Sequence, residues 1–312
     1  MRRLVIDTDA GVDDAIAILM ALADPSVEVL AFTTVHGNVP VEQATQNVGR
    51  VLDVVEAGHI PIFQGAARPL VGPPVHATDV HGVDGLGDAG LPATRRRAEP
   101  EAAPLALAQL ARAHAGELLL VALGPLTNIA LALVLEPDLP RLLQGFIWMG
   151  GAIRAQGNVT AVAEFNAYTD PEAAAAVFEQ GMRPLMVPWE TTCSAAIPWA
   201  LWEDLVALEP VGQRVVARIT HRIRQLLREA GQPGMIIPDA VTMAVALEPS
   251  CAQRRPARVE IETGGRVARG LTAVQLTGPH AFSINAEIVM EVQTDSLIAL
   301  LRRAFSSSLK RR

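Results

Sequence analysis

Short aliphatic and β-branched runs alternate along the chain with stretches of helical periodicity. The runs cover residues 4–6, 27–35, 60–63, 118–123, 146–149 and 184–187, and the helical stretches cover 13–23, 41–57, 104–115, 126–135 and 171–180. Near-continuous apolar runs suit strands buried on both faces, and their separation by helices predicts an α/β fold: a mainly parallel, Rossmann-like central sheet flanked by helices. Ligands of such sheets bind beyond the carboxyl ends of the strands, so the residues after each strand are where chemistry is expected. Three regions break the rhythm. Residues 72–92, rich in Gly, Pro, His and Asp, predict a mobile lid or binding loop; 196–230 read as extra helices; 256–292 read as a small β-rich addition in the C-terminal third. Residues 304–312 read as a tail. The stretch 118–135 is nearly as apolar as a membrane span, but Gly124-Pro125 and Thr127-Asn128 interrupt it, which favours a buried strand, a tight loop and a helix. No repeat, linker or boundary divides the chain, so residues 1–312 are expected to form a single domain.

Composition then removes several functions. Half of the 312 residues are hydrophobic and 19% are charged, which excludes disorder, and the net charge of −7 offers no basic footprint for nucleic acid. Of the 26 basic residues, 25 are arginine and the one lysine is Lys310. Schiff-base, pyridoxal-phosphate and P-loop enzymes all need a lysine amine at the reacting centre and are set aside. With 12 aromatics, among them the single Tyr168, a stacking platform for single-stranded nucleic acid is not expected. Two cysteines, Cys193 and Cys251, make no disulfide framework, and the start Met1-Arg2-Arg3-Leu4-Val5-Ile6-Asp7 has no signal-peptide core. A reduced, cytoplasmic chain with no membrane partner is expected.

The densest candidate chemistry follows the first strand, where Asp7, Asp9, Asp13 and Asp14 fall within eight residues. Asp13 and Asp14 complement the positive end of a helix dipole and Asp9 suits a cap. Capping accounts for one or two acids; four together repel one another unless protons or a cation offset them. Oxygen donors select a hard ion such as calcium or magnesium, and an EF-hand does not fit, since its twelfth position here is Ile18. Asp7-Thr8-Asp9 also suits a magnesium-dependent aspartate-nucleophile phosphatase, but the lysine which that chemistry uses is missing. A site from His76, Asp79, His81 and Asp84 lacks a recognised ligand spacing.

Residues Asp7-Thr8-Asp9-Ala10-Gly11-Val12-Asp13-Asp14-Ala15 resemble the amino-terminal signature of the inosine-uridine-preferring nucleoside hydrolases, D-x-D-P-G-x-D-D-A, with Ala10 in place of proline. Further motifs follow in that family's order: Val35-His36-Gly37-Asn38, His81-Gly82-Val83-Asp84-Gly85-Leu86-Gly87, Gly124-Pro125-Leu126-Thr127-Asn128, Met149-Gly150-Gly151, and Gly157-Asn158 leading to Ala163-Glu164-Phe165-Asn166. The resemblance implies hydrolysis of the N-glycosidic bond of ribonucleosides to ribose and free base, in nucleoside salvage, by a homodimer or homotetramer that needs Ca2+. It implies calcium ligands Asp9, Asp14, the Leu123 carbonyl and Asp239, with Asp9 as general base toward the attacking water. Asp13, Asn38, Asn158, Glu164, Asn166 and Asp239 would bind the substrate, and Asp7 would support the loop from behind. From the residues alone, Asn158, Glu164 and Asn166 read equally as a polar turn.

Two departures concern the leaving base. Many members carry His-Asp where this chain has Pro238-Asp239, so the usual proton donor is absent, and Trp189-Glu190-Thr191-Thr192-Cys193 stands where relatives often read L-D-V-T-H. His81 is the first candidate for a replacement acid, against a solvated loop histidine. His221 and Arg222 are alternatives, against a charged solvent face, and Trp189, Trp199 and Trp202 offer stacking, against a place in the core. Loss of the acid leaves open a non-catalytic, nucleoside-binding relative.

Overall fold

The computed structural model describes residues 1–57, 60–154, 156–208, 210–276 and 283–306. Strand β1 (Arg2–Thr8) leads into helix α1 (Val12–Ala23) and β2 (Val27–Thr34) into α2 (Val41–Val54). After β3 (Ile62–Gln64) a long connection holds one helical turn, α3 (Thr78–His81), before α4 (Ala103–Ala113). β4 (Leu118–Ala122) precedes α5 (Thr127–Leu135) and the turn α6 (Leu139–Leu142), and β5 (Leu143–Met149) precedes α7 (Phe165–Thr169) and α8 (Pro171–Glu179). β6 (Leu185–Val187) and α9 (Trp189–Ser194) are followed by β7 (Ile197–Pro198), α10 (Trp199–Val206), a π-helical turn at Gly212–Val216, α11 (Ala217–Ile219) and α12 (His221–Glu229). β8 (Gly234–Met235), α13 (Pro238–Leu247), β9 (Ala252–Ile261), β10 (Thr272–Gln275), β11 (Ala286–Val292) and α14 (Thr294–Ser306) complete the described chain.

Among the described residues nine strands form one sheet in the order β10-β9-β11-β6-β5-β4-β1-β2-β3, parallel from β3 to β11 and antiparallel at β9 and β10. Alternation along β1 sends Leu4 and Ile6 to one face and Val5 to the other, and each face has its own apolar core. One core takes in α1, α2, α13 and α14; the other takes in α4, α5 and α8. Helix α1 is buried almost all round, between the sheet and the helices α13 and α14, which explains an unbroken apolar run after its acidic first turn. The chain moves from β1 to β2 and β3 on one side and from β4 to β5 and β6 on the other, so the strand order reverses between β1 and β4. A crevice forms at such a reversal, beyond Thr8 and Ala122.

The α/β fold is as expected, and so is the β-rich C-terminal third: β11 pairs in parallel with β6 and continues the main sheet, and β9 and β10 run against it. Within the loop expected over 72–92, residues 78–81 form α3. The tail does not begin at 304, because Ala304 and Phe305 are buried in α14 and Phe305 meets Trp202 edge-on at 6.0 Å. Residues 307–312, with Lys310, lie outside the described residues. Among the described residues no helix is long and apolar enough to cross a membrane.

Candidate active site

The loop between β1 and α1 folds back on itself. Ala10 takes φ of 49°, in the left-handed region, and its N–H reaches Thr8 Oγ1 at 3.0 Å. A proline ring, locked near −65°, does not fit this turn, so alanine at the resembled signature's proline position goes with a local backbone path of its own. Asp14 accepts from the Gly11 N–H at 2.8 Å, from Asn38 Nδ2 at 3.2 Å and from the Thr8 hydroxyl. Asp9 is held by Asn38 through both its N–H, at 2.7 Å, and its Nδ2, at 3.1 Å. Close approach demands glycine nearby: a Cβ at Gly37 would stand 2.0 Å from Asp9 Oδ2, and one at Gly11 would stand 2.7 Å from His81 Nδ1.

Asp239 arrives from the far end of the chain, in the first turn of α13, which packs on α1. Its N–H approaches Asp13 Oδ2 at 3.5 Å, and Asp13, Asp14 and Asp239 each offer an oxygen within 4.8 Å of the others. All three are buried. Burial raises their pKa values, and for Asp239 the neighbouring charges of Asp13 and Asp14 raise it further. Asp13 Oδ1 has no hydrogen-bond partner. Buried, like-charged oxygens with one unsatisfied atom fit a hard divalent cation, which would offset the repulsion that protons must otherwise relieve. Of the expected ligands, Asp14 and Asp239 fall in this triangle and Asp13 joins them. Asp9 stays outside it, with both oxygens on Asn38, although its charge still bears on Asp14 and Asp239. Among the described residues no other three metal-ligating side chains converge, so His76, Asp79, His81 and Asp84 do not form a site.

Beneath the loop, Asp7 accepts from Thr33 Oγ1 at 2.6 Å and Asn128 Nδ2 at 2.8 Å, and burial pushes it up to about 7. Asn128 also donates to the Thr34 carbonyl and accepts from the Ala66 N–H, while Thr127 bonds Asp170 and His36. The Gly124–Asn128 motif therefore ties four strand ends together from behind.

Asn158, Glu164 and Asn166 line the same cavity as Asp13, Asn38, Leu123 and Asp239. Glu164 caps α7, taking the N–H groups of Gly151 at 2.8 Å, Asn166 at 2.9 Å and Ala167 at 3.2 Å; burial outweighs these bonds and pushes it up to about 7. Asn166 Nδ2 bridges the Leu123 carbonyl at 2.8 Å and the Met149 carbonyl at 3.0 Å, and Asn158 Oδ1 accepts the Phe165 N–H at 2.9 Å. The polar turn and this part of the cavity wall are thus the same residues.

The cavity holds about 550 Å³. Over it lies α3, whose His81 is only 8% exposed and is no solvated loop histidine. His81 Nδ1 accepts the Val12 N–H at 3.1 Å, which puts the ring proton on Nε2, and burial lowers its pKa to about 4. It therefore offers an N–H donor and not an imidazolium. Ile223, Leu226 and Leu227 from α12, with Ala230 at its C-cap, join Trp189, Ile236 and Pro238 in an apolar wall. His221 is exposed and lies outside the cavity, as does Arg222, which donates to the Asp79 carbonyl at 2.8 and 3.1 Å and so ties the lid to α12. Trp202 is core and Trp199 stacks under Arg228 at 4.6 Å, leaving Trp189 as the one candidate tryptophan at the cavity. The apolar wall was missed from sequence; its signal was the i, i+3, i+4 spacing of Ile223, Leu226 and Leu227, which reads as ordinary core.

The family described as inosine-uridine preferring nucleoside hydrolase matches residues 4–299. The pyrimidine-specific ribonucleoside hydrolase RihA of Salmonella gallinarum is 34% identical over 303 residues, 96% of each chain. The non-specific ribonucleoside hydrolase RihC of Escherichia coli is 34% identical over 289 residues, 93% of each chain. A solved inosine-guanosine nucleoside hydrolase superposes with a TM-score of 0.91 at 34% identity, over 98% of this chain and 99% of the other. Three names that differ in the base thus stand at the same identity.

Proposed function

The chain belongs to the inosine-uridine preferring nucleoside hydrolase family, and from that premise we propose that it hydrolyses the N-glycosidic bond of ribonucleosides with the aid of calcium, releasing ribose and a free base. The observation that carries this reading is the triangle of Asp13, Asp14 and Asp239, two of whose members line a cavity large enough for a nucleoside. Asp14 and Asp239 of that triangle, joined by Asp9 and the Leu123 carbonyl, would hold the cation, which leaves Asp13 Oδ1 to the sugar. When bound, the ion acidifies water and neutralises the carboxylates around it. Asp9, held in place by Asn38 and raised well above an ordinary aspartate by burial and by the charge of Asp14, takes the proton of the attacking water as it closes on C1′. The unpartnered Oδ1 of Asp13 accepts a ribose hydroxyl, and Asn38, Asn158, Glu164 and Asn166 surround the rest of the sugar as it gains oxocarbenium character. The Nε2–H of His81 hydrogen-bonds the departing base.

We read residues 1–312 as one catalytic domain that assembles as a homodimer or homotetramer and works in cytoplasmic nucleoside salvage; light scattering on the purified chain tests the assembly. Pro238 in the wall favours one second reading, a nucleoside-binding relative without turnover. Ribose release from inosine, adenosine, uridine, cytidine and p-nitrophenyl riboside, with and without chelator, separates the two. Chelator-sensitive ribose release supports the hydrolase; tight nucleoside binding with no ribose from any substrate supports the binding protein.

A further inference from the structure

The cavity wall carries Asp13, Asp79, Glu164 and Asp239 and, among the described residues that line it, no arginine or lysine. Asp13 is 7% exposed and keeps Oδ1 without a partner. Three of these carboxylates sit at the sugar end, where a divalent ion would cancel part of their charge. Asp79 sits on the lid, close enough to His81 for its charge to act there, and the Arg222 bonds to its backbone carbonyl set where α3 carries it.

A neutral base leaves C1′ with the bonding electron pair and needs a proton. Pro238 has none to give, and His81 has only the Nε2–H of a neutral ring, since Nδ1 is taken by the Val12 N–H. A base already quaternised at a ring nitrogen has no such need. Resting on the hydrolase reading above, we propose that this site also hydrolyses ribonucleosides of cationic, N-alkylated bases, and prefers them to their neutral parents, with Asp79 as the carboxylate that attracts the positive ring. In the reaction the water oxygen bonds to C1′, its proton passes to Asp9, and the C1′–N bond breaks. That electron pair returns to the ring and cancels its charge. The products are ribose, a neutral alkylated base and one proton, and no further reactant is needed.

Two matched pairs test this in the calcium-loaded protein: 7-methylguanosine against guanosine, and 3-methylcytidine against cytidine, at slightly acid pH where both methylated rings are cationic. The methylated member of at least one pair should show kcat/KM at least about tenfold above its parent. Asp79→Asn should lower that ratio about fivefold, chiefly through KM, as expected for a charge pair at an exposed carboxylate, and Asp79→Glu should restore it. Parents cleaved as fast as their methylated forms, or a ratio unmoved by Asp79→Asn, would overturn the proposal while leaving the hydrolase reading intact. No ribose from any of the four substrates would overturn the hydrolase reading and this proposal with it.

Discussion

On the floor of the cavity the functional side chains hang from strand ends and helix starts, and backbone groups hold them: Asn38 on Asp9, Gly11 on Asp14, three N–H groups on Glu164. The roof is built otherwise. It is an aliphatic face of α12 and one turn of the lid, tied by Arg222 and Arg218 to the carbonyls of Asp79 and Ala89. Side chains held by several hydrogen bonds cannot drift without breaking them at once, whereas an apolar wall tolerates exchange of one side chain for another of similar volume. On the proposed function, such a division lets the base change above a fixed sugar site, and relatives of equal identity are named for different bases.

The strongest test of the floor is Asp14→Ala. It should remove calcium binding, measured by calorimetry, and lower ribose release by more than about 10²-fold, since ligand-shell losses alone reach that size. In chelator the same variant should melt higher than the parent, because it deletes one of three mutually repelling buried carboxylates. Retained calcium and activity would remove Asp14 from the metal site. Floor recognition should also reject 2′-deoxyribonucleosides, uridine over deoxyuridine by about 10²-fold or more in kcat/KM, because a missing hydroxyl strands buried partners such as Asp13 Oδ1. Comparable rates on both sugars would mean the floor does not read that hydroxyl.

Stability without the ion should depend on pH in a definite sense. Asp7 and Glu164 are raised by burial from ordinary values to about 7, so the folded chain keeps protons that the unfolded chain releases near pH 4. Their contribution is complete below the unfolded values and is lost as pH rises through about 7. Melting temperature in chelator should fall between about pH 5 and 8, and the increase produced by calcium should be larger at the upper end, where protons no longer compete for Asp13, Asp14 and Asp239. A melting temperature that rises over this interval would contradict the burial of these carboxylates.

The two regions also differed in how legible they were in the sequence. Four aspartates in one loop, and the polar residues between Asn158 and Asn166, are local patterns whose strand-end position follows from the alternation of elements. Asp239 was legible only through the family motif, since no local feature brings the start of α13 onto α1. The pairing of β11 with β6 joins residues about a hundred positions apart and leaves no periodic trace. Most of the roof was illegible for a different reason: Ile223, Leu226 and Leu227 carry no chemistry that distinguishes a cavity wall from a core, and Trp189 and Pro238 stood out only as departures from the family motifs. His81 was noticed, but its tautomer depends on the Val12 N–H, a contact across 69 positions.

Predictions for the roof are smaller. His81→Ala should slow nucleosides about tenfold more than p-nitrophenyl riboside, whose leaving group needs no proton, as suits a hydrogen-bond donor that is not a full acid. Equal losses on both substrates would show that His81 acts on the sugar side, through Val12 and the carboxylate loop, and would erase the division between floor and roof at this residue.

The finest test is Arg222→Ala. Its guanidinium makes two bonds to a single carbonyl at the exposed edge of the lid and does not line the cavity, so neither the ion nor the water should be affected. What it lowers is the cost of opening α3, by an amount on the scale of one exposed, charge-assisted hydrogen bond, about 1 kcal/mol. The closed lid is then populated less, KM should rise about two- to fivefold, and kcat should change less than KM. Calcium affinity should stay at the parent value, because Asp14 and Asp239 are held by α1 and α13, which the lid does not anchor. A drop in calcium affinity would mean that lid and floor move as one body, with His81 Nδ1 on the Val12 N–H as the link between them.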